Sequence, residues 1–270
     1  MQKVVLITGC SSGIGLATAK LFAEKDWRVI ATMRDTSKAS DDLDKDSILV
    51  EKLDVTVQED IDNIERLIQE KYNGQIDLLV NNAGYGMFGF FETISEKQIR
   101  HQYDVNVFGL MAVTRMVIPF MRARKSGCII NISSVVGKFS FPVGGIYAST
   151  KWAVEAFSEQ ILHELRQFGI KVKVVEPGPI ETNFAGSSMK LGEKKLKEYK
   201  NTSNELKQGS GDTPSGVQGP EVVAKVIYRA ATSDNGAFRY PAGRYAGTIL
   251  LARKILSDRI WNFLLGKKRF

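Results

Sequence analysis

The chain carries only two cysteines and two histidines among 270 residues. Cys10 and Cys128 give no disulfide framework, no CxxC pair and no zinc spacing. A reducing compartment is the simple inference. Cys10 lies in a glycine-rich loop and Cys128 in an apolar run, so both read as small packing residues rather than nucleophiles. His101 and His163 lack a ligand-spaced Cys, His or acidic partner, and no metal is expected. No basic–apolar–small-residue leader precedes the strand-like run from Lys3 to Thr8. No uncharged apolar stretch approaches the length that spans a bilayer. A cytoplasmic location is therefore expected. Acid is outnumbered, 30 Asp and Glu against 37 Lys and Arg, for a net charge of +7. The excess is scattered, with denser patches at 190–200 and 267–269. That reads as solvated surface, and no nucleic-acid partner is expected. An anionic dinucleotide needs only a few local cations.

What the sequence does have is a hydrophobic share of 43%, enough for a sizeable core. Apolar runs at Val4–Ile7, Val29–Ala31, Ile48–Val50, Leu78–Val80, Ile129–Ile132 and Val172–Val175 show almost no alternation, as strands covered on both faces require. Helical segments lie between them: Ile14–Glu24, Asp60–Tyr72, Ser95–Arg122 and Ala148–Phe168. This alternation predicts an α/β fold: one doubly wound parallel sheet, Rossmann-type, with helices on both faces. With no repeat and no dividing linker, residues 1–270 read as a single domain. Two stretches depart from the pattern. Residues 185–219 are polar and rich in Gly, Ser and Lys; in an open α/β sheet such a loop sits over the ligand crevice. Residues 249–265 carry Leu256, Ile260, Phe263 and Leu264 at helical spacing, predicting an amphipathic helix with a basic tail. It would cover the cleft, pack against a second subunit or lie on a membrane surface. Packing is preferred, because apolar stripes usually face protein.

Thr8-Gly9-Cys10-Ser11-Ser12-Gly13-Ile14-Gly15 joins the first strand to the first helix. Glycine allows a tight turn and close backbone approach to a pyrophosphate. The helix start offers free N–H groups to the anion. The spacing is GxxxGxG, not GxGxxG. Four further motifs follow in order: Asp77-Leu78-Leu79-Val80-Asn81-Asn82-Ala83-Gly84; Asp104-Val105-Asn106-Val107; Tyr147-Ala148-Ser149-Thr150-Lys151; and Pro177-Gly178-Pro179-Ile180-Glu181-Thr182. Together, from Thr8 to Thr182, they resemble the short-chain dehydrogenase/reductase family.

The resemblance implies an oxidoreductase that binds a nicotinamide dinucleotide through Gly9, Ser11, Ser12, Gly13, Ile14 and Gly15. Asp54, beside Val55, resembles the family's adenine-binding Asp; Asn82, Ala83 and Gly84 correspond to its strand-four cofactor contact. Pro177, Gly178 and Ile180 are placed against the nicotinamide ring, with Thr182 on its carboxamide. Met33 stands where NAD enzymes of the family place Asp, and Arg34 where many NADP enzymes place Arg, which can pair bidentately with phosphate. Ser11 could add a hydroxyl donor. NADP(H) is expected over NAD(H), although Asp35 follows directly.

Hydride transfer to a carbonyl needs a proton donor and stabilisation of developing charge on oxygen. Tyrosine titrates near ~10 when free, and a nearby cation lowers that. Lys151 lies one turn after Tyr147, on the same helix face. By resemblance, Lys151 also holds the ribose hydroxyls, Ser134 bonds the substrate oxygen, and Asn106 holds a water that completes the relay. Sequence alone leaves Ser133 as a competitor, with the spacing to Tyr147 favouring Ser134. Phe88, Phe141 and Phe184 fall in segments that should flank the nicotinamide, which suggests an apolar pocket. The loop and the run Ala31-Thr32-Met33-Arg34-Asp35 resemble the steroid- and retinol-active branch. The expected substrate is a hydrophobic ketone or aldehyde and its alcohol. An epimerase or dehydratase on the same scaffold, or a non-catalytic NADP sensor, are the alternatives; the complete set Asn106, Ser134, Tyr147 and Lys151 argues against the sensor. A homodimer or homotetramer joined through the long helices is implied.

Overall fold

The computed structural model describes residues 2–181, 189–194, 196–199 and 217–266. Seven strands form one parallel sheet: β1 (Val4–Thr8), β2 (Arg28–Met33), β3 (Ile48–Lys52), β4 (Leu78–Asn81), β6 (Gly127–Ile132), β7 (Ile170–Pro177) and β9 (Arg239–Ala242). Their order is β3-β2-β1-β4-β6-β7-β9. The strand order reverses beside β1, which pairs with β2 through Val5–Val29 and with β4 through Val5–Leu78. A crevice forms outside the strand ends at such a switch point. All five β1 residues are buried, which explains the unbroken apolar run. Beyond the main sheet, β5 (Gly86–Phe88) pairs with β8 (Met189–Leu191) as a small parallel ribbon.

Helices cover both faces, as expected. On one side α1 (Gly13–Glu24) and α6 (Pro220–Thr232) bring Phe22, Val223 and Ile227 onto Val29 and Ile130. On the other, α2 (Gln58–Tyr72), α4 (Leu110–Ala123) and α5 (Gly145–Leu165) bring Ile64, Val117 and Ile161 onto Leu6 and Ile129. Burying each such side chain stabilises the fold by roughly 1.5–3 kcal/mol. Strand β9 and helix α6 are absent from the sequence reading. β9 reads Arg-Tyr-Pro-Ala, and its Pro241 is tolerated because the strand lies at the sheet edge.

The stretch expected as one helix from Ser95 to Arg122 is three segments. A capping box at Ser95 starts α3 (Glu96–Tyr103); a π-helical turn spans Asp104–Gly109; α4 follows. At the turn, the Asn106 amide bonds the Tyr85 backbone on both sides, accepting from its N–H and donating to its carbonyl. Gly109 lies against Val55 so closely that a Cβ would stand 2.5 Å from its Cγ2. The run Glu96–Ala123 is long and apolar enough to cross a membrane by length and composition, with a mean hydropathy of 1.3, but half of that window is buried within the fold.

The single C-terminal helix expected over 249–265 is also corrected. Leu256 adopts extended backbone, so the stretch is two helices, α7 (Ala246–Ile255) and α8 (Asp258–Gly266). Arg253 pairs with Asp258 across the break. Ile249 and Leu250 pack on the cluster around Val135, and Trp261 meets the Phe139 ring edge-on at 5.0 Å. Ile260, Phe263 and Leu264 remain exposed, so packing within the chain covers only part of the expected stripe.

Candidate active site

A cavity of about 1110 Å³ opens at the carboxyl ends of the strands. Its floor is the loop from β1 to α1. Gly9 and Gly13 have φ of +74° and +57°, where a side chain is strained. A Cβ on Gly15 would lie 2.2 Å from the Gly9 carbonyl oxygen. The loop is tied to the end of β4: the Asn82 side-chain amide donates to the carbonyls of Thr8 and Gly9, and the Thr8 hydroxyl accepts from the backbone N–H groups of Asn82 and Ala83. Helix α1 begins at Ser12 with no side-chain cap and no acid in its first turn. Such a helix start presents uncompensated N–H groups and partial positive charge to an anion. A glycine cradle facing an uncapped helix N-terminus fits a dinucleotide pyrophosphate.

The cavity wall beyond this cradle includes Ser11, Ser12, Ile14, Met33, Arg34, Asp54 and Val55. Arg34 is exposed and Met33 buried. Asp35 does not line the cavity. Its carboxylate caps the next turn by accepting from Ser37 and pairs with Lys38 at 3.2 Å. One Asp54 oxygen accepts from the backbone and hydroxyl of Thr56. Asn82, Ala83, Gly84, Pro177, Gly178 and Ile180 also line the cavity.

Ser134, Tyr147 and Lys151 line the cavity together. Ser134 leaves β6 as the cap of a short 3-10 turn, donates to the Pro177 carbonyl at 3.3 Å and accepts from the Val136 N–H. It also hydrogen-bonds the Tyr147 hydroxyl. Ser133 also borders the cavity, but it is buried and its hydroxyl packs where a Cβ on Gly137 would fall. The Lys151 ammonium donates to the Ile132 carbonyl at 2.8 Å and stands 5.7 Å from the centre of the Tyr147 ring. Burial pushes the Tyr147 phenol up to about 12, with the Ser134 hydrogen bond opposing it. Burial also pulls Lys151 down to about 8, with Glu155 opposing. Desolvation thus outweighs the expected lowering of the tyrosine by its lysine.

Asn106 lies apart from the cavity lining. Its amide is used on Tyr85 and on the Thr150 hydroxyl, which joins the π-helical turn to the helix bearing Tyr147 and Lys151. Phe141 lines the cavity, while Phe88 stands behind it, with its ring 5.8 Å from Tyr147 and 6.1 Å from Phe141. Thr182 and Phe184 lie outside the described residues, as does most of the stretch 185–219. Gly15 shapes the loop without bordering the cavity. Met87, just after the strand-four motif, also lines the cavity, and several lining residues have no motif to announce them: Gln98 and His101 on one side, and Ile249, Leu264 and Leu265 from the C-terminal helices. Among the described residues no group of His, Cys, Asp or Glu could hold a metal ion.

The short chain dehydrogenase family model matches residues 3–191. The chain is 34% identical to the uncharacterized oxidoreductase YusZ of Bacillus subtilis, over all of this chain and 99% of that protein. It is 39% identical to human retinol dehydrogenase 8 over 68% of this chain and 61% of that protein. The structure of a short-chain dehydrogenase from Streptomyces avermitilis superposes with a TM-score of 0.84 at 33% identity, covering 100% of this chain and 99% of that one. ElxO with NADP bound gives a TM-score of 0.73 at 29% identity, covering 89% and 97%. A member from Burkholderia phymatum in complex with NAD shares the fold, with a TM-score of 0.81 at 24% identity, covering 97% and 95%.

Proposed function

This chain belongs to the short chain dehydrogenase family of oxidoreductases, and from that premise we propose that it interconverts a hydrophobic ketone or aldehyde and its alcohol with NADP(H). The observation that carries the chemistry is the contact of Ser134 with Tyr147, with Lys151 against the ring, in the wall of a mostly apolar cavity. NADP(H) is favoured over NAD(H) because Arg34 borders the cavity where Asp35 does not. ElxO, which resembles this chain at 29% identity, binds NADP. The loop Gly9–Gly15, Asp54, Val55, Asn82–Gly84, Pro177, Gly178 and Ile180 would hold the dinucleotide, with Thr182 on its carboxamide. When bound, its nicotinamide gives or takes the hydride.

The chain's own residues handle the proton. In the reducing direction Ser134 orients the carbonyl oxygen and Tyr147 donates its phenolic proton to it. The phenol is neutral at physiological pH, as a donor must be. Lys151, charged below about 8, stabilises the phenolate left behind. Asn106 acts from behind, fixing the helix through Thr150. Phe141, Phe139 and Met87 form an apolar wall, which suits a retinoid-, steroid- or lipid-like substrate; Phe184 would extend it. Human retinol dehydrogenase 8, by its name, acts on such a molecule. We also place the protein in the cytosol as a homodimer or homotetramer. Phe108 and Trp152, exposed at 58% and 49% beside the long helices, support a subunit contact, and light scattering that finds only monomer would refute it.

The test is oxidation of NADPH, and separately of NADH, against a panel of apolar and polar carbonyls. Turnover with NADPH on apolar carbonyls, nearly abolished in Tyr147→Phe with NADPH binding intact, is expected. Activity confined to small polar sugars, or near-normal turnover in the variant, would refute the assignment.

A further inference from the structure

Three polar side chains next to the catalytic group have buried atoms with no hydrogen-bond partner among the described residues: Ser133 Oγ, Glu155 Oε1 and Glu176 Oε1. The residues are 2%, 3% and 2% exposed. Buried polar atoms are almost always paired, so three together demand an account. They converge from three elements. Ser133 ends the segment after β6, Glu155 is one turn beyond Lys151 on α5, and Glu176 is the penultimate residue of β7. A Cβ on Gly137 would lie 2.7 Å from Ser133 Oγ and 3.0 Å from Glu155 Cγ, which sets the first two side by side. The carboxyl groups of Glu155 and Glu176 are within hydrogen-bonding reach of each other.

Two buried carboxylates at that separation repel, and the pair is relieved by holding one proton between them. The other Glu155 oxygen is already committed, accepting from Lys138 at 2.9 Å and from Arg239 at 3.0 Å. We propose that Glu155 and Glu176, with the Ser133 hydroxyl, form a buried site that shares one proton and positions Lys151 and Ser134 electrostatically from behind. The connections to the chemistry are direct. Lys151 donates to Ile132, the residue before Ser133, and Ser134 donates to Pro177, the residue after Glu176. Glu155 acts on the Lys151 charge, holding it up against burial.

The groups facing the pair are Lys138 from the turn after β6, Lys151 and Glu159 on α5, and Arg239 on β9, the last of which also pairs with Glu159. Burial first, and the Glu155 charge second, raise Glu176 to about 7. The shared proton is therefore present below neutrality and leaves above it. Once it leaves, Lys151 has a second anion near it and keeps its own proton to higher pH.

The assignment of Lys151 and Ser134 rests on the proposed function, so the test has an arm that needs no substrate. Difference infrared spectra between about pH 6 and about pH 8 should show the carbonyl stretch of a protonated carboxylic acid disappearing. Glu176→Gln, which keeps shape and can donate to Glu155, should lack that change. In the kinetic arm, the wild-type kcat against pH should show a step near neutrality that Glu176→Gln removes, with kcat below the step within about threefold of wild type. A missing infrared change in the wild type, or an unchanged kcat profile in a folded Glu176→Gln, overturns the proposal. If no carbonyl is turned over but the infrared change is present and lost in the variant, the functional reading fails while the proton site stands.

Discussion

Substituting Gly15 by alanine should damage both stability and dinucleotide binding, by an amount the geometry sets. The new Cβ would sit 2.2 Å from the Gly9 carbonyl oxygen and 2.6 Å from the Asn82 side-chain nitrogen, where ordinary contact begins at 3.4 Å. The loop must open by about 1 Å to admit it. Overpacking of this kind costs roughly 1–3 kcal/mol. The same opening pulls Asn82 from the Thr8 and Gly9 carbonyls, at about 1 kcal/mol for each hydrogen bond. A total of roughly 3–5 kcal/mol follows. At about 2–4 °C per kcal/mol for a chain near this size, Tm should fall by roughly 6–20 °C. The opened loop no longer aims its N–H groups at one point, so NADPH should bind roughly 10- to 100-fold more weakly. Thermal melts and calorimetric titration with NADPH measure both effects. The control is Gly247→Ala, in helix α7 with nothing within 4 Å of the added Cβ. It should leave binding unchanged and stabilise the chain by roughly 0.5–1 kcal/mol. A Gly15→Ala protein with wild-type Tm and wild-type NADPH affinity would refute the idea that this close approach shapes the site.

Arg34→Ala should cost roughly 10- to 100-fold in kcat/KM with NADPH, the worth of charge-assisted hydrogen bonds of ~1.5–3 kcal/mol, while NADH changes little. Parallel loss with both cofactors would separate Arg34 from cofactor choice. Trp261→Ala removes the ring that packs on Phe139 and should raise KM for apolar carbonyls several-fold while holding kcat; an unchanged KM would detach α8 from the substrate wall. Stability should follow pH in an unusual sense. Glu176 is raised from 4.5 to about 7, so the native chain keeps a proton that the unfolded chain has lost. Its contribution is full below about 4.5 and is lost as pH rises to about 7, by on the order of 3 kcal/mol. Lys151 is lowered from 10.5 to about 8, so its burden is relieved only as pH rises from about 8 to 10.5. These two groups put a trough in Tm near pH 7–8, shallower in Glu176→Gln; equal troughs in both proteins would remove Glu176 as its source.

The parallel sheet was legible because its strands are buried on both faces and read as pure apolar runs, Val4–Thr8 above all. Edge strand β9 defeats that rule, since an edge accepts Pro241 and a charged residue, Arg239. Helix α6 carried its own signals, with Gly219 as cap, Pro220 at its first position and Val223, Ala224, Ile227 and Ala230 on the buried face. They stand directly after a long polar stretch with no periodicity, which hides where the helix begins. The break at Leu256 has no glycine or proline to mark it, and the periodicity of 249–265 runs across it. In the site, residues joined by short motifs were found, because spacing along one strand end or one helix face survives folding. Covering the cleft was one reading of 249–265, but Ile249, Leu264 and Leu265 could not be singled out for it, because they reach the cavity only through tertiary packing. Between Ser133 and Ser134 the sequence offered only the spacing to Tyr147, which favours Ser134; in the fold Ser133 is buried and Ser134 bonds the Pro177 carbonyl.

The same burial reshapes the tyrosine argument. A cation beside a phenol was expected to lower its titration, yet Tyr147 stands at about 12 and Lys151 at about 8. Both shifts have one cause, the loss of water around a charge. At neutral pH the resting pair is therefore neutral phenol and ammonium, with a single charge to solvate. Giving the phenolic proton to a carbonyl oxygen creates an anion beside that cation. The ammonium stands 5.7 Å from the ring centre, and for charges at about that separation, with an effective dielectric of ~20, the attraction is on the order of 3 kcal/mol. It is available only after the proton has moved, and an interaction stronger after the transfer than before it is the kind that accelerates a step. Raising the pH past about 8 discharges Lys151 and removes that gain while the phenol is still protonated. Reduction should therefore fail on the alkaline side through the lysine, well before the tyrosine titrates.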